Sequence, residues 1–207
     1  MPITYPLSLP ASPAAAGLER FMLTGLHAVG VLRSPFTFAT QVQAHPGEAW
    51  IAEASIAPCK RNQAEPWVAF FAALRGPSGT FLMGDPHRTS PLGVATGTPR
   101  VNGTNTVRAT SLNTKGWTIN VTNILRAGDY IQIGQRLYKV LQDVNSNASG
   151  NCTLDIFPAL RETVVDNATI ITSSAKGLFR LNSPEVELFE VDKERLYSMS
   201  FSAVEAL

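Results

Sequence analysis

Gly84-Asp85-Pro86-His87-Arg88 packs a carboxylate, an imidazole and a guanidinium into five residues, the group types that general acid–base catalysis uses. The same string spells a β-turn whose charges are solvated, and nothing else in the sequence converges on it. A second concentration of ionisable groups, Glu185, Glu187, Glu190, Asp192 and Glu194, crowds the C-terminal region. Glu185 and Glu187 would share one face of an alternating strand. Glycosidases use paired carboxylates, but two on a single strand a few residues apart read better as an exposed charged face or an inter-subunit contact.

The remaining chemistry is sparse. His27, His45 and His87 stand singly, without the i, i+4 spacing or neighbouring cysteines of a zinc site. Cys59 and Cys152 are far apart and form no paired motif, which suits a reduced cytosolic origin and leaves one disulfide between them open. There is no Gly-x-Ser-x-Gly elbow, no Walker A loop and no Gly-x-Gly-x-x-Gly fingerprint. The expectation is no enzyme activity, no catalytic residue, no cofactor and no metal. Trp117, Tyr130 and Tyr138 offer a different chemistry, an aromatic platform on which sugar rings could stack, so a carbohydrate-binding β-module is the alternative reading.

The elements that would position these groups are mostly strands. Phe36, Phe38, Thr40 and Val42 alternate with Thr37, Ala39, Gln41 and Gln43, and Trp50, Ala52, Ala54 and Ile56 resume the alternation after the turn residues His45-Pro46-Gly47-Glu48. This spacing predicts a β-hairpin over 36–57. The outward face carries Gln41, Gln43, Glu53 and Ser55, small or polar groups that could meet a neighbouring subunit. Residues 18–32 are apolar but interrupted by Gly25 and Gly30, and are expected to form short strands.

One helix stands out. Trp67, Phe70, Phe71 and Leu74 fall at i, i+3, i+4 and i+7, with Pro66 placed in the first turn, Glu65 at the positive end and Gly76-Pro77 as the stop. Gly79 to Met83 reads as a strand. From 101 to about 174 the composition shifts toward Asn, Thr and Ser, with strand-like runs at 107–111, 117–121, 130–133, 137–141, 153–157 and 169–172. Strands are expected again at 186–191 and over the closing alternation of Tyr197, Met199, Phe201 and Ala203.

These elements predict a mainly β chain of two units. Residues 1–97 with 176–207 form a β-sandwich carrying one packed α-helix, and residues 98–175 form an inserted small β-barrel, OB-like or a sandwich. The 207 residues, 44% hydrophobic, suffice for one or two cores. A formal net charge of +1 lacks the basic excess of a dedicated nucleic-acid binder. No basic-then-apolar leader opens the sequence, and no apolar run approaches the roughly eighteen residues of a membrane span, so no membrane partner is expected. The Asn-x-Ser/Thr triplets at Asn102, Asn120, Asn147, Asn151 and Asn167 then reflect local composition.

Taken together, the hairpin, the Glu65-Pro-Trp-x-x-Phe-Phe-x-x-Leu-x-Gly76 helix, the Gly79-Thr-Phe strand, Gly84-Asp85-Pro86 and the closing Phe201-Ser-Ala-Val-Glu-Ala-Leu207 resemble the distal tail and tail-tip (baseplate) proteins of long-tailed bacteriophages. Arg126 to Gly134, Arg136 to Val140 and Thr153 to Pro158 are similar to sequences of such tail proteins as well. The resemblance covers most of the chain. It implies a tail-tube-like β-sandwich and a structural role in the virion, assembled in the host bacterial cytoplasm. It further implies a ring, commonly of six copies, joining the tail tube protein to a central hub or fibre protein around a channel that DNA traverses without specific binding. The insertion would be the added outward domain.

Overall fold

Period-two alternation recurs along the sequence, and strands are what it forms. The computed structural model describes residues 3–185 and 188–207. In chain order the elements are β1 (Leu7–Ser8), β2 (Leu18–Arg33), β3 (Thr40–Cys59), α1 (Arg61–Leu74), β4 (Phe81–Met83), β5 (Gly97–Val101), β6 (Ser111–Trp117), β7 (Tyr130–Ile133), β8 (Arg136–Val140), β9 (Cys152–Phe157), β10 (Ile170–Ile171), β11 (Gly177–Leu181), β12 (Glu190–Val191) and β13 (Tyr197–Glu205). They make two sheets. A mixed sheet runs β1-β4-β11-β13-β3-β2, with β12 also on β13, and the second runs β10-β7-β8-β9-β6-β5.

The mixed sheet is held by one helix. β13 places Met199, Phe201, Ala203 and Glu205 on its inward face, and α1 lays Trp67, Phe70, Phe71 and Leu74 against that face. The Trp67 and Phe71 rings meet Phe201 at 6.2 and 5.3 Å, and Trp67 Nε1 donates to the Ala16 carbonyl at 2.9 Å. Each ring buried here contributes on the order of 2–3 kcal/mol of apolar transfer. The helix starts earlier than its punctuation suggested. Lys60 is extended, Arg61 pairs with Glu65 at 2.8 Å across one turn, and Pro66 consequently stands in the second turn. Arg75, in the left-handed region at φ 52°, ends the helix.

The second sheet is a nearly closed six-strand barrel. Its terminal strands are joined by a bridge between Arg100 and Thr169, and Val101 N donates to the Ala168 carbonyl at 2.9 Å. Val101, Leu112, Ile124, Leu125, Ile131, Tyr138, Val140, Leu154 and Ile156 fill the interior. The chain leaves the mixed sheet after β4 and returns in β11, and these strands are antiparallel neighbours with Gly177 opposite Met83. An insertion needs such adjacent exit and entry points. Strand β5 straddles the expected boundary at 97/98, and residues 118–121 are irregular. The strand expected over 186–191 partly lies outside the described residues.

The first hairpin departs most from expectation. The turn is at Ser34–Ala39, and the hairpin spans 18–59, with residues 18–32 in one 16-residue strand. Phe36 and Phe38 are turn residues, Phe38 having φ 57°. His45-Pro46-Gly47 lies within β3 as a bulge: the register steps from His27 opposite Glu48 to Val29 opposite Ala44. Pro46 has no N–H for the ladder, and a bulge is where a strand tolerates that loss.

No helix among the described residues is long and apolar enough to cross a membrane.

Candidate assembly surface

The β2–β3 hairpin begins as part of the sheet and ends as a free arm. From Leu18 to Gly25, and from Trp50 to Cys59, the strands have one buried or half-buried face. Beyond that point every residue of β2 from Leu26 to Arg33, and of β3 from Thr40 to Gly47, is exposed on both faces. Eight residues at about 3.3 Å each carry the tip roughly 26 Å from the sheet. The turn itself is well built: the Ser34 Oγ accepts from the Phe36 and Thr37 amides at 3.3 Å, and Ser34 N donates to the Ala39 carbonyl at 2.9 Å.

What the arm exposes is apolar. Phe36 is 92% exposed, Leu32 73%, and Val29, Val31, Phe38 and Val42 are also bare. The stretch from Leu26 to Gly47 contains no Asp or Glu, and the Arg33 guanidinium lies 4.7 Å over the Phe38 ring. Its hydrogen-bonding edges are open too. Strand β2 ends the sheet, and β13 pairs β3 only as far as Ile51. The opposite end of the sheet is different: β1 is two residues long and flanked by Pro6 and Pro10, a blunted edge.

The four residues expected at a subunit contact do not form one patch. Gln41 and Gln43 are exposed on the arm, opposite Leu32 and Gly30. Glu53 and Ser55 lie farther along β3 on the solvent face of the sheet, lining a cleft of about 410 Å³ with Arg20, Glu185, Ser200 and Ser202. Ten residues of strand separate Gln43 from Glu53, roughly 30 Å.

The sugar platform is corrected by burial. Trp117 is 3% and Tyr138 1% exposed, and both belong to the barrel core, so neither offers a ring face. Trp117 Nε1 donates to Thr114 Oγ1 at 2.8 Å, and burial pushes the Tyr138 phenol upward in pKa. Tyr130 is half-buried, with Arg88 and Lys139 cations 5.8 and 5.2 Å from its ring centre. Alternation placed these three on strands or their ends without telling inside from outside.

In the loop that combines acid, imidazole and guanidinium, the carboxylate and the guanidinium make local structural contacts and the imidazole is exposed. Asp85 Oδ1 accepts from the His87 amide at 2.9 Å, and Arg88 lies 3.4 Å from Asp85 while donating to the Gly128 carbonyl. Among the described residues no three His, Cys, Asp or Glu side chains gather as metal ligands. Cys59 and Cys152 are both free, and burial raises both thiols. Glu185, Glu190, Asp192 and Glu194 are exposed; Glu187 lies outside the described residues.

Sequence reasoning missed the seam between sheet and barrel. Glu205 is 3% exposed in its side chain and forms a two-point ion pair with Arg161, at 2.8 and 3.3 Å, while accepting from the Trp50 amide at 3.2 Å. Trp50 Nε1 donates to the Leu137 carbonyl at 3.0 Å, and the Arg136 guanidinium donates to the Ala206 carbonyl. A signal was present: Glu205 continues the inward parity of Met199, Phe201 and Ala203, and a carboxylate at a core-facing position requires a partner. No protein-family model matches the chain, and no curated protein matches it either.

Proposed function

We propose that this chain is a structural subunit of a long-tailed phage tail tip, with a tail-tube-like sheet, which assembles into a ring, commonly of six copies, between the tail tube and the central hub. The carrying observation is the arm. Two strands with both faces and both edges open are at best marginally stable in water, and an apolar arm of this length is explained if another subunit covers it. In a ring, each arm would lie on its neighbour, where added strand pairing and burial of Leu32, Phe36 and Val42 supply the missing contacts. The polar sheet face around Ser200, Ser202, Glu53 and Arg20 suits a surface that meets water or passing DNA without gripping it.

Light scattering over a concentration series, with and without tail tube protein, tests this reading. Rings seen by electron microscopy that disappear on Leu32→Ser/Phe36→Ser would support it. A strict monomer in both conditions would overturn it.

A further inference from the structure

The root of the arm, where it leaves the sheet, is gripped by the inserted barrel. Phe157, the last residue of β9, stacks edge-on against Trp50 of β3, centroids 4.9 Å apart, and lies 4.7 Å from the ring of His27 on β2. Gly25 makes room for it: a Cβ there would sit 2.6 Å from the Phe157 ring. Two residues on, the Ala159 amide donates to Glu48 Oε2 at 2.7 Å, and the other oxygen of Glu48 faces His27 Nδ1 at 3.4 Å. Glu48 and His27 are cross-strand partners, the last pair before the bulge. Both strands of the arm are therefore held by one short barrel segment, 157–159, at the point where sheet pairing with β13 has stopped. That segment is itself fixed to the sheet by Arg161–Glu205.

We infer that the inserted barrel aims the arm: Phe157 and the Ala159 amide, seated on Gly25, His27, Glu48 and Trp50, set the angle at which the arm projects. This gives the insertion a positioning role distinct from binding any ligand. It deepens the ring reading and rests on it for its biological purpose, while the geometric claim stands alone. A two-stranded ribbon with no third strand can pivot at its root. A tilt of about ten degrees moves a tip about 26 Å away by roughly 4–5 Å, enough to lose strand register with a neighbour.

The test is a distance distribution by pulsed electron spin resonance on the full chain. Labels are placed at Thr37→Cys on the tip and Ile119→Cys on the barrel, in a Cys59→Ala/Cys152→Ser background. The expected result is a single narrow distribution, broadened or shifted by several ångströms in Glu48→Ala and in Gly25→Val, and restored in Glu48→Gln, whose amide oxygen can still accept from Ala159. A distribution already broad in the parent, or unchanged in both variants, overturns the inference. Thermal unfolding run alongside checks that both cores persist; the two variants attack the contact from different strands, so misfolding of one leaves the other decisive. Scattering on the same samples separates this from the ring reading: a fixed arm on a chain that never assembles sinks the ring and leaves the brace.

Discussion

The arm and the barrel treat exposed strand edges in opposite ways. The barrel's strands nearly close on themselves, bridged at Arg100 and Thr169, and its apolar side chains point to a filled interior. The arm leaves two strands unpaired on their outer edges and turns Leu32, Phe36 and Val42 to solvent. Closure makes the barrel stable within one chain. Openness leaves the arm's faces and outer edges without partners among the described residues, and a covering subunit is what the proposed ring would supply.

That contrast can be broken at the seam first. Glu205→Ala leaves Arg161 buried without its partner, and is expected to cost about 3–5 kcal/mol in urea unfolding. A loss under about 1 kcal/mol would mean that barrel and sheet are scarcely coupled. Within the barrel, Leu154→Ala removes a fully buried side chain and should cost about 2–4 kcal/mol by the same measurement. A smaller and pH-dependent effect belongs to Asp166. Its carboxylate accepts from Lys115 Nζ at 2.7 Å and the Gly103 amide at 2.8 Å, which lowers its pKa below the ordinary 3.8. A carboxyl lowered on folding adds stability above its unfolded pKa and loses it as pH falls through the folded value. Melting temperature should therefore drop more steeply below about pH 4 in the parent than in Asp166→Asn. The smallest effect sharpens the comparison most. Leu32→Ser/Phe36→Ser should change monomer stability in urea unfolding by no more than about 0.5 kcal/mol, because those side chains are exposed in the chain, while abolishing the proposed association as read by light scattering.

Legibility in the sequence followed how local each cause was. The α1 stripe and the β13 alternation were readable because both patterns arise from neighbours along the chain. The arm differs from the expected hairpin over 36–57 because His45-Pro46-Gly47 carries the residues of a turn and of a bulge alike. The alternative reading of Trp117 and Tyr138 as a surface platform fails because an aromatic on a strand has the same spacing whichever way the barrel curls. Glu205 could have been flagged by parity, but nothing local names Arg161 as its partner, 44 residues away.

The sequence alone determined the mainly β character, the helix that carries Trp67, Phe70, Phe71 and Leu74, and the near-neutral charge, since periodicity, punctuation and composition are properties of consecutive residues. Tertiary structure alone decided which faces are covered. The same strand, β3, carries a buried face at Trp50 and none at Val42, because burial depends on what other segments stand opposite, and past Ile51 β13 no longer lies beside β3.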